Sequence, residues 1–285
     1  MPLVTSKQLL LNAQAGGYAV GAFNVENMEM IQAVVAAAET MRAPVILQTT
    51  PSTIKYAGLD YFYANVRVAA EKATVPVAIH LDHGDNFNLA MQALRAGYTS
   101  IMIDGSHETF AGNVAVSKAV AEACHPSGVT VEAELGKVGG KEDDLEVGSD
   151  NPYTDPQEAA EFVAAAGIDA LAVAIGTAHG VYQGIPRLDL ERLSQIRKTV
   201  SIPLVLHGTS GVPDDIVRQC IHRGICKVNY ATDLRIAFSR GVKAALKEDP
   251  EMIDPKKYNA RGREEVKNYV IDKIKVCGCM DRIKG

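Results

Sequence analysis

At 285 residues the chain is long for one small domain yet within the range of an α/β barrel, so length leaves one barrel or two smaller domains open. Hydrophobic residues at 47%, charged residues at 22% and a net charge of -5 fit a soluble globular protein and exclude a disordered tail. No basic patch points to nucleic acid.

The longest apolar runs, such as residues 170–175, fall far short of the ~20 residues of a membrane span. Residues 1–7 lack the charged and apolar segments of a secretory signal, and a cytoplasmic location is expected. Five cysteines without regular spacing argue for a reducing compartment rather than a disulfide framework. Cys277 and Cys279 form the one close pair, and no second Cys or His pair follows to complete a structural zinc site.

Taken along the chain, short apolar or β-branched runs bounded by Gly and Pro predict strands near 19–23, 45–48, 77–81, 100–103, 129–134, 170–175, 204–206 and 226–229. Helical patterns lie between them. The clearest opens at Asp155 with Pro156 in its first turn and Glu158 three residues after the cap, turns Phe162, Val163 and Ala166 inward, and stops at Gly167. Another starts at Pro213, carries Ile216, Val217, Cys220 and Ile221 on one face, and ends at Gly224. After the eighth strand, Leu234, Phe238, Val242 and Leu246 recur every four residues. The tail from Asp254, with Val266, Val270 and Ile274, reads as an additional helix.

Strict alternation requires parallel strands with crossover helices, and eight units favour closure into a (β/α)8 TIM barrel over an open sheet. No glycine-rich dinucleotide fingerprint follows the first strand, which weakens the Rossmann alternative. The expected architecture is one barrel domain over 1–285 with the C-terminal helix as its extension.

In such barrels chemistry gathers at the carboxyl ends of the strands. Here those ends carry Asn24, Asp82 with His83, Asp104, Glu134, His179, His207 and Asn229. Packing alone gives no reason for so many polar, metal-competent groups in succession. Three histidines from three strands can converge on one point, and neutral imidazoles are favoured zinc ligands that leave a fourth position open for chemistry. His125 and His222 fall in helical patterns and read as ordinary. His80 shares a face with Asp82 and either orients a neighbour or fills the barrel, while His107 stays open. Two turns, Gly208-Thr209-Ser210-Gly211 and Asn229-Tyr230-Ala231-Thr232, precede helices after the seventh and eighth strands, where barrels commonly bind phosphate.

Together these segments resemble the class II fructose- and tagatose-bisphosphate aldolase family over nearly the whole chain. The carrying motifs are His80-Leu81-Asp82-His83-Gly84, Ile103-Asp104-Gly105-Ser106-His107, Val131-Glu132-Ala133-Glu134-Leu135-Gly136, Gly139-Gly140-Lys141-Glu142-Asp143-Asp144, Ala174-Ile175-Gly176-Thr177-Ala178-His179-Gly180, Leu204-Val205-Leu206-His207-Gly208 and Lys227-Val228-Asn229. The resemblance implies reversible cleavage of a ketose 1,6-bisphosphate to dihydroxyacetone phosphate and glyceraldehyde 3-phosphate. It implies that His83, His179 and His207 hold a catalytic zinc and that Asp104 and Glu134 match a second or alternative metal position. By the same likeness Asp82 is the proton donor and Glu142 the acidic residue of a mobile loop spanning Lys141 to Asp144. Asn24, Gly180, Gly208, Thr209, Ser210, Asn229, Tyr230, Ala231 and Thr232 match the substrate contacts, often with a monovalent cation (Na+ or K+) nearby. The chemistry suits these types: bond cleavage leaves an enediolate whose negative charge zinc offsets, while a carboxyl group exchanges the proton of the aldehyde oxygen.

The segment 174–179 and the ending Cys277-Gly278-Cys279 look more like the tagatose branch than the fructose branch. Thr209 stands where Ala or Gly is usual and Tyr230 where Val is usual; binding through backbone amides is expected to survive, and Tyr230 is a candidate for altering which sugar fits. A homodimer or homotetramer and, in some tagatose-branch relatives, a non-catalytic partner subunit are implied by likeness. Two rivals stand beside this reading: a Schiff-base aldolase using Lys227, and a silent sugar-phosphate-binding subunit, which would lack some of the ligands present here.

Overall fold

The computed structural model describes residues 3–142, 145–147, 153–180, 182, 184 and 186–283, and for 140–142 and 145–147 the backbone alone. In chain order the elements are α1 (Ser6–Gly16), β1 (Val20–Asn24), α2 (Met28–Met41), β2 (Val45–Thr49), α3 (Pro51–Ala57), α4 (Leu59–Lys72), β3 (Val77–Gly84), α5 (Phe87–Ala96), β4 (Ser100–Ile103), α6 (Phe110–Cys124) and β5 (Thr130–Leu135). They continue as β6 (Gly139–Glu142), β7 (Leu145–Val147), α7 (Pro156–Ala166), β8 (Ala170–Val173), β9 (Ala178–His179), α8 (Leu190–Thr199), β10 (Leu204–Leu206), α9 (Asp214–His222), β11 (Ile225–Tyr230), α10 (Thr232–Glu248) and α11 (Pro255–Cys277).

Eight parallel strands close into a barrel in the order β1-β11-β10-β8-β5-β4-β3-β2. The expected (β/α)8 architecture is the observed one. Closure runs through β1, which pairs Ala22 with Asn229 on one side and Asn24 with Gln48 on the other. Strands covered on both faces read as continuous apolar runs, and β1, β2 and β4 are buried at every position.

Local chemistry sets the helix ends. Asp155 caps α7 by accepting from the backbone N–H groups of Gln157 and Glu158, and Gly167 closes it in the left-handed region. The tail forms α11, packed against α10 and α2. Below the barrel, α1 covers the amino ends of the strands: Ser6 Oγ lies 2.8 Å from Ser100 Oγ and Lys7 pairs with Asp169 at 2.9 Å. His125 joins this end, 2.9 Å from Asp169, and His222 ends α9, so neither belongs to the mouth.

Three differences from the sequence expectation bear on the mouth. Strand β3 runs on to Gly84 with a register shift against β4, which carries Asp82 and His83 within the strand. The sixth barrel strand stops at Val173, and His179 sits on the separate two-residue β9. That short strand pairs with β6 in a small sheet ordered β7-β6-β9, with Gly140 opposite His179. Such a ribbon escapes a pattern reading because its strands are too short and glycine-rich to show alternation. All five cysteines are buried free thiols. Among the described residues no helix is long and apolar enough to cross a membrane.

Candidate active site

Asp82 stands at the centre of the mouth. Its Oδ2 accepts hydrogen bonds from Asn24 Nδ2 at 2.8 Å and Gln48 Nε2 at 3.1 Å, and its Oδ1 accepts from Asn229 Nδ2 at 3.1 Å. Gln48 also donates to Asn24 Oδ1 at 2.7 Å. Amides from three strand ends thus hold one buried carboxylate on a fourth strand. Gln48 was missed in the sequence; the signal was a lone amide closing the apolar run Val45-Ile46-Leu47, in register with Asn24.

His83 follows directly, in the left-handed region at φ 49°. A non-glycine residue there carries about 1–3 kcal/mol of backbone strain, a cost seen where geometry is held for function. The turn aims the ring across the mouth, and its Nδ1 lies 2.9 Å from Asp104 Oδ2. Burial would raise the Asp104 carboxyl, but hydrogen bonding to His83 outweighs it and holds the group well below the usual carboxylate range.

The rings of His83, His179 and His207 lie close together, with centroids 5.0 Å apart for His83–His179, 4.7 Å for His83–His207 and 6.2 Å for His179–His207. One ligand atom from each falls within 4.8 Å of the other two, and the same holds for His83, Asp104 and Glu134. His207 is fully buried, with Nε2 3.0 Å from Glu132 Oε1 and Nδ1 3.2 Å from Glu134 Oε2. Neither Nδ1 nor Glu134 Oε2 makes a well-formed hydrogen bond among the described residues. Two acceptors facing one point need a proton or a metal ion between or beside them. Burial lowers the basicity of His207, yet the carboxylates of Glu132 and Glu134 beside its two ring nitrogens outweigh it and bring the pKa to about 9. Three imidazoles beside two carboxylates fit zinc, which takes neutral nitrogen and carboxylate oxygen ligands and displaces such a proton.

Beside this cluster a hollow is lined by Asn24, His179, Gly180, Gly208, Thr209, Ser210, Asn229, Ala231, Thr232 and Arg235. Gly208 lies at φ 62°, and a methyl group on it would stand 2.7 Å from the Ala178 carbonyl oxygen, so the turn approaches β9 as only glycine allows. Tyr182 ties the same two pieces, accepting from Ala178 N at 2.6 Å and donating to Gly208 O at 2.7 Å. The Thr209 hydroxyl donates to the Asn229 carbonyl, joining the two turns. Asp233 accepts from Gly211 N at 3.2 Å and from Tyr269 OH at 2.8 Å, so α11 braces the turn.

The side chain of Tyr230 lies elsewhere. It is buried behind the strand, stacked on Phe23 with centroids 5.5 Å apart and with its hydroxyl 3.7 Å from Cys277 Sγ. The expectation that this ring shapes the sugar pocket is therefore corrected: strand alternation turns Tyr230 outward when Asn229 faces in. Arg235, not foreseen, enters the hollow one turn after Thr232 and pairs with Glu26 at 2.7 Å. Helical spacing from Thr232 was its signal.

On the other side of His179 opens a cavity of ≈ 840 Å³, which reaches His83, Asp104, Glu134 and the exposed His107. Lys227 does point into the barrel, but it is fully buried with Nζ 2.9 Å from Glu132 Oε2, and it lines neither space. The side chains of Lys141 and Glu142 and residues Asp143 and Asp144, expected on the loop, lie outside the described residues.

A closed parallel barrel whose carboxyl-end mouth gathers metal-competent side chains beside a glycine-lined hollow defines an enzyme-type (β/α)8 barrel. The family model described as fructose-bisphosphate aldolase class-II matches residues 4–282, and the chain belongs to that family. It is similar to the YdjI aldolase from Escherichia coli K12, with 34% identity, a TM-score of 0.86 and coverage of 99% of this chain and 100% of that one. A Coccidioides immitis protein solved as a candidate fructose-1,6-bisphosphate aldolase matches at 30% identity, TM-score 0.88 and 96% of both chains. The fructose-bisphosphate aldolase of Campylobacter jejuni matches at 25% identity and TM-score 0.86, over 99% of this chain and 97% of that one.

Proposed function

We propose that this chain catalyses the reversible, zinc-dependent cleavage of a ketose 1,6-bisphosphate, tagatose 1,6-bisphosphate in preference to its fructose epimer, to dihydroxyacetone phosphate and glyceraldehyde 3-phosphate. The observation that carries the reading is the meeting of His83, His179 and His207 beside a turn-lined hollow, with Asp82 hydrogen-bonded to Asn24 and Asn229 of that hollow. His83, His179 and His207 would hold the ion, with Asp104 and Glu134 offering an alternative position. Zinc held there supplies Lewis acidity toward the substrate's carbonyl and hydroxyl oxygens.

The chain's own residues do the rest. Backbone N–H groups of the Gly208 and Asn229 turns, the start of α10 and Arg235 bind the phosphate of the dihydroxyacetone half. Asp82 receives the proton of the hydroxyl on the carbon that becomes the aldehyde. The electrons of that O–H bond form the aldehyde C=O, and those of the breaking carbon–carbon bond pass to the neighbouring carbonyl as an enediolate. Glu142 protonates the enediolate carbon, and both transfers run backwards in condensation. The side-chain amides of Asn24, Gln48 and Asn229 donate to both carboxylate oxygens of Asp82 and hold the group in place for this transfer. Lys227, ion-paired and out of reach, offers no free amine for a Schiff base.

Fructose 1,6-bisphosphate is the second reading, because the family description and the Campylobacter jejuni relative carry that name. The two sugars differ at one hydroxyl, which a small pocket change can discriminate. Coupled assays with each epimer, run before and after chelation and again after zinc is restored, test the proposal. Cleavage of tagatose bisphosphate that is lost on chelation and returns with zinc is expected; full activity in the stripped protein sinks it.

A further inference from the structure

We propose that Glu132 and Lys227 form a buried positioning pair that fixes which nitrogen of His207 faces the mouth. The inference rests on the functional reading above, in which His207 is a zinc ligand. Barrel interiors are ordinarily filled by layers of Val, Ile and Leu. Here the layer beneath the mouth carries His80 from β3, Glu132 from β5 and Lys227 from β11, all buried. Core filling does not account for this choice, since replacing a buried ion pair by apolar side chains of similar volume is often neutral or stabilising.

The hydrogen bonds form a chain with one consistent polarity. Lys227 has only donors. It donates to Glu132, 2.9 Å to Oε2 and 3.1 Å to Oε1, and its 3.5 Å approach to His80 Nε2 makes that nitrogen an acceptor. His80 Nδ1–H then donates to Ser100 Oγ at 2.7 Å, and Ser100 Oγ lies 2.8 Å from Ser6 Oγ on α1. Held in this way, Glu132 keeps Oε1 in place to accept His207 Nε2–H at 3.0 Å. The lone pair of the neutral ring therefore belongs to Nδ1, which faces Glu134 Oε2 at 3.2 Å and makes no well-formed hydrogen bond among the described residues. A carboxylate on the outer nitrogen is how proteins commonly fix the tautomer and orientation of a ligating histidine.

The test uses the full chain and zinc alone as probe. Removing only Glu132 leaves a buried unpaired ammonium, so the informative variant is the double Glu132→Leu/Lys227→Met, with folding checked by circular dichroism and melting. It is expected to raise the zinc dissociation constant, read by chelator competition, roughly 10–100-fold and to shift the visible spectrum of the cobalt-substituted protein. Glu132→Gln/Lys227→Met, which keeps an acceptor for His207, should recover most of that loss. A folded Leu/Met variant with wild-type zinc affinity and an unchanged cobalt spectrum overturns the proposal. Should that variant not fold, ¹⁵N imidazole spectra of the zinc-loaded wild type decide. An Nε2–H signal for His207 supports the assignment, and an Nδ1–H signal overturns it. A wild type that takes up no zinc sinks both readings, whereas one that takes up zinc beside an unaffected Leu/Met variant sinks this inference alone.

Discussion

Asp82 owes its position to amides on β1, β2 and β11, so its carboxylate is fixed before any substrate arrives. Replacing it by Asn preserves shape but removes the proton acceptor. Asp82→Asn should lower kcat by roughly 10²–10⁴-fold, with zinc content by elemental analysis unchanged, because Asp82 is not in the ligand cluster. Zinc lost together with activity would refute that separation of roles. Tyr230 makes the opposite case. Its ring packs on Phe23 and toward Cys277, away from the hollow. Tyr230→Val should leave the ratio of tagatose to fructose cleavage unchanged and instead lower stability by about 2–4 kcal/mol, the scale of a large-to-small core change. Paired epimer assays and urea unfolding separate the two effects.

At the scale of elements, the site depends on how β9 meets the turn after β10. The Gly208 backbone and the Tyr182 hydroxyl clamp Ala178, one residue before His179. Gly208→Ala forces the chain to hold a disfavoured φ and to push the Ala178 backbone away. We expect zinc affinity to fall at least about tenfold, the scale of losing ligand orientation, and the Michaelis constant for the bisphosphate to rise. Chelator competition and steady-state kinetics read the two. An alanine variant with wild-type zinc affinity would mean that β9 is held by other contacts. Helix α11 acts on the neighbouring turn through Tyr269 and Asp233, which gives the C-terminal extension a place in the site's architecture.

For the whole molecule, the mouth joins residues from β3, β9 and the turn after β10, so an ion shared among them ties distant parts of the chain together. A ligand that binds only the folded state stabilises it by mass action, about 4 kcal/mol at a thousandfold excess over the dissociation constant. Chelation should therefore lower the melting temperature by roughly 7 °C, and zinc should restore it. A melting curve indifferent to chelator would argue that the imidazoles do not share an ion.

The eight strands, their parallel order and the capped ends of α7 were legible in the sequence, because apolar runs, Asp155, Pro156 and Gly167 act through neighbours a few residues away. The polar residues at strand ends were legible for the same reason. Side-chain direction and long-range partners were not. Gln48 joins Asp82 only because β2 lies beside β3, Tyr230 turns away because Asn229 faces in, and Glu132 meets His207 across 75 residues of chain. Sequence spacing specifies which residues can form a strand or a cap; closure of the barrel alone decides which of them touch.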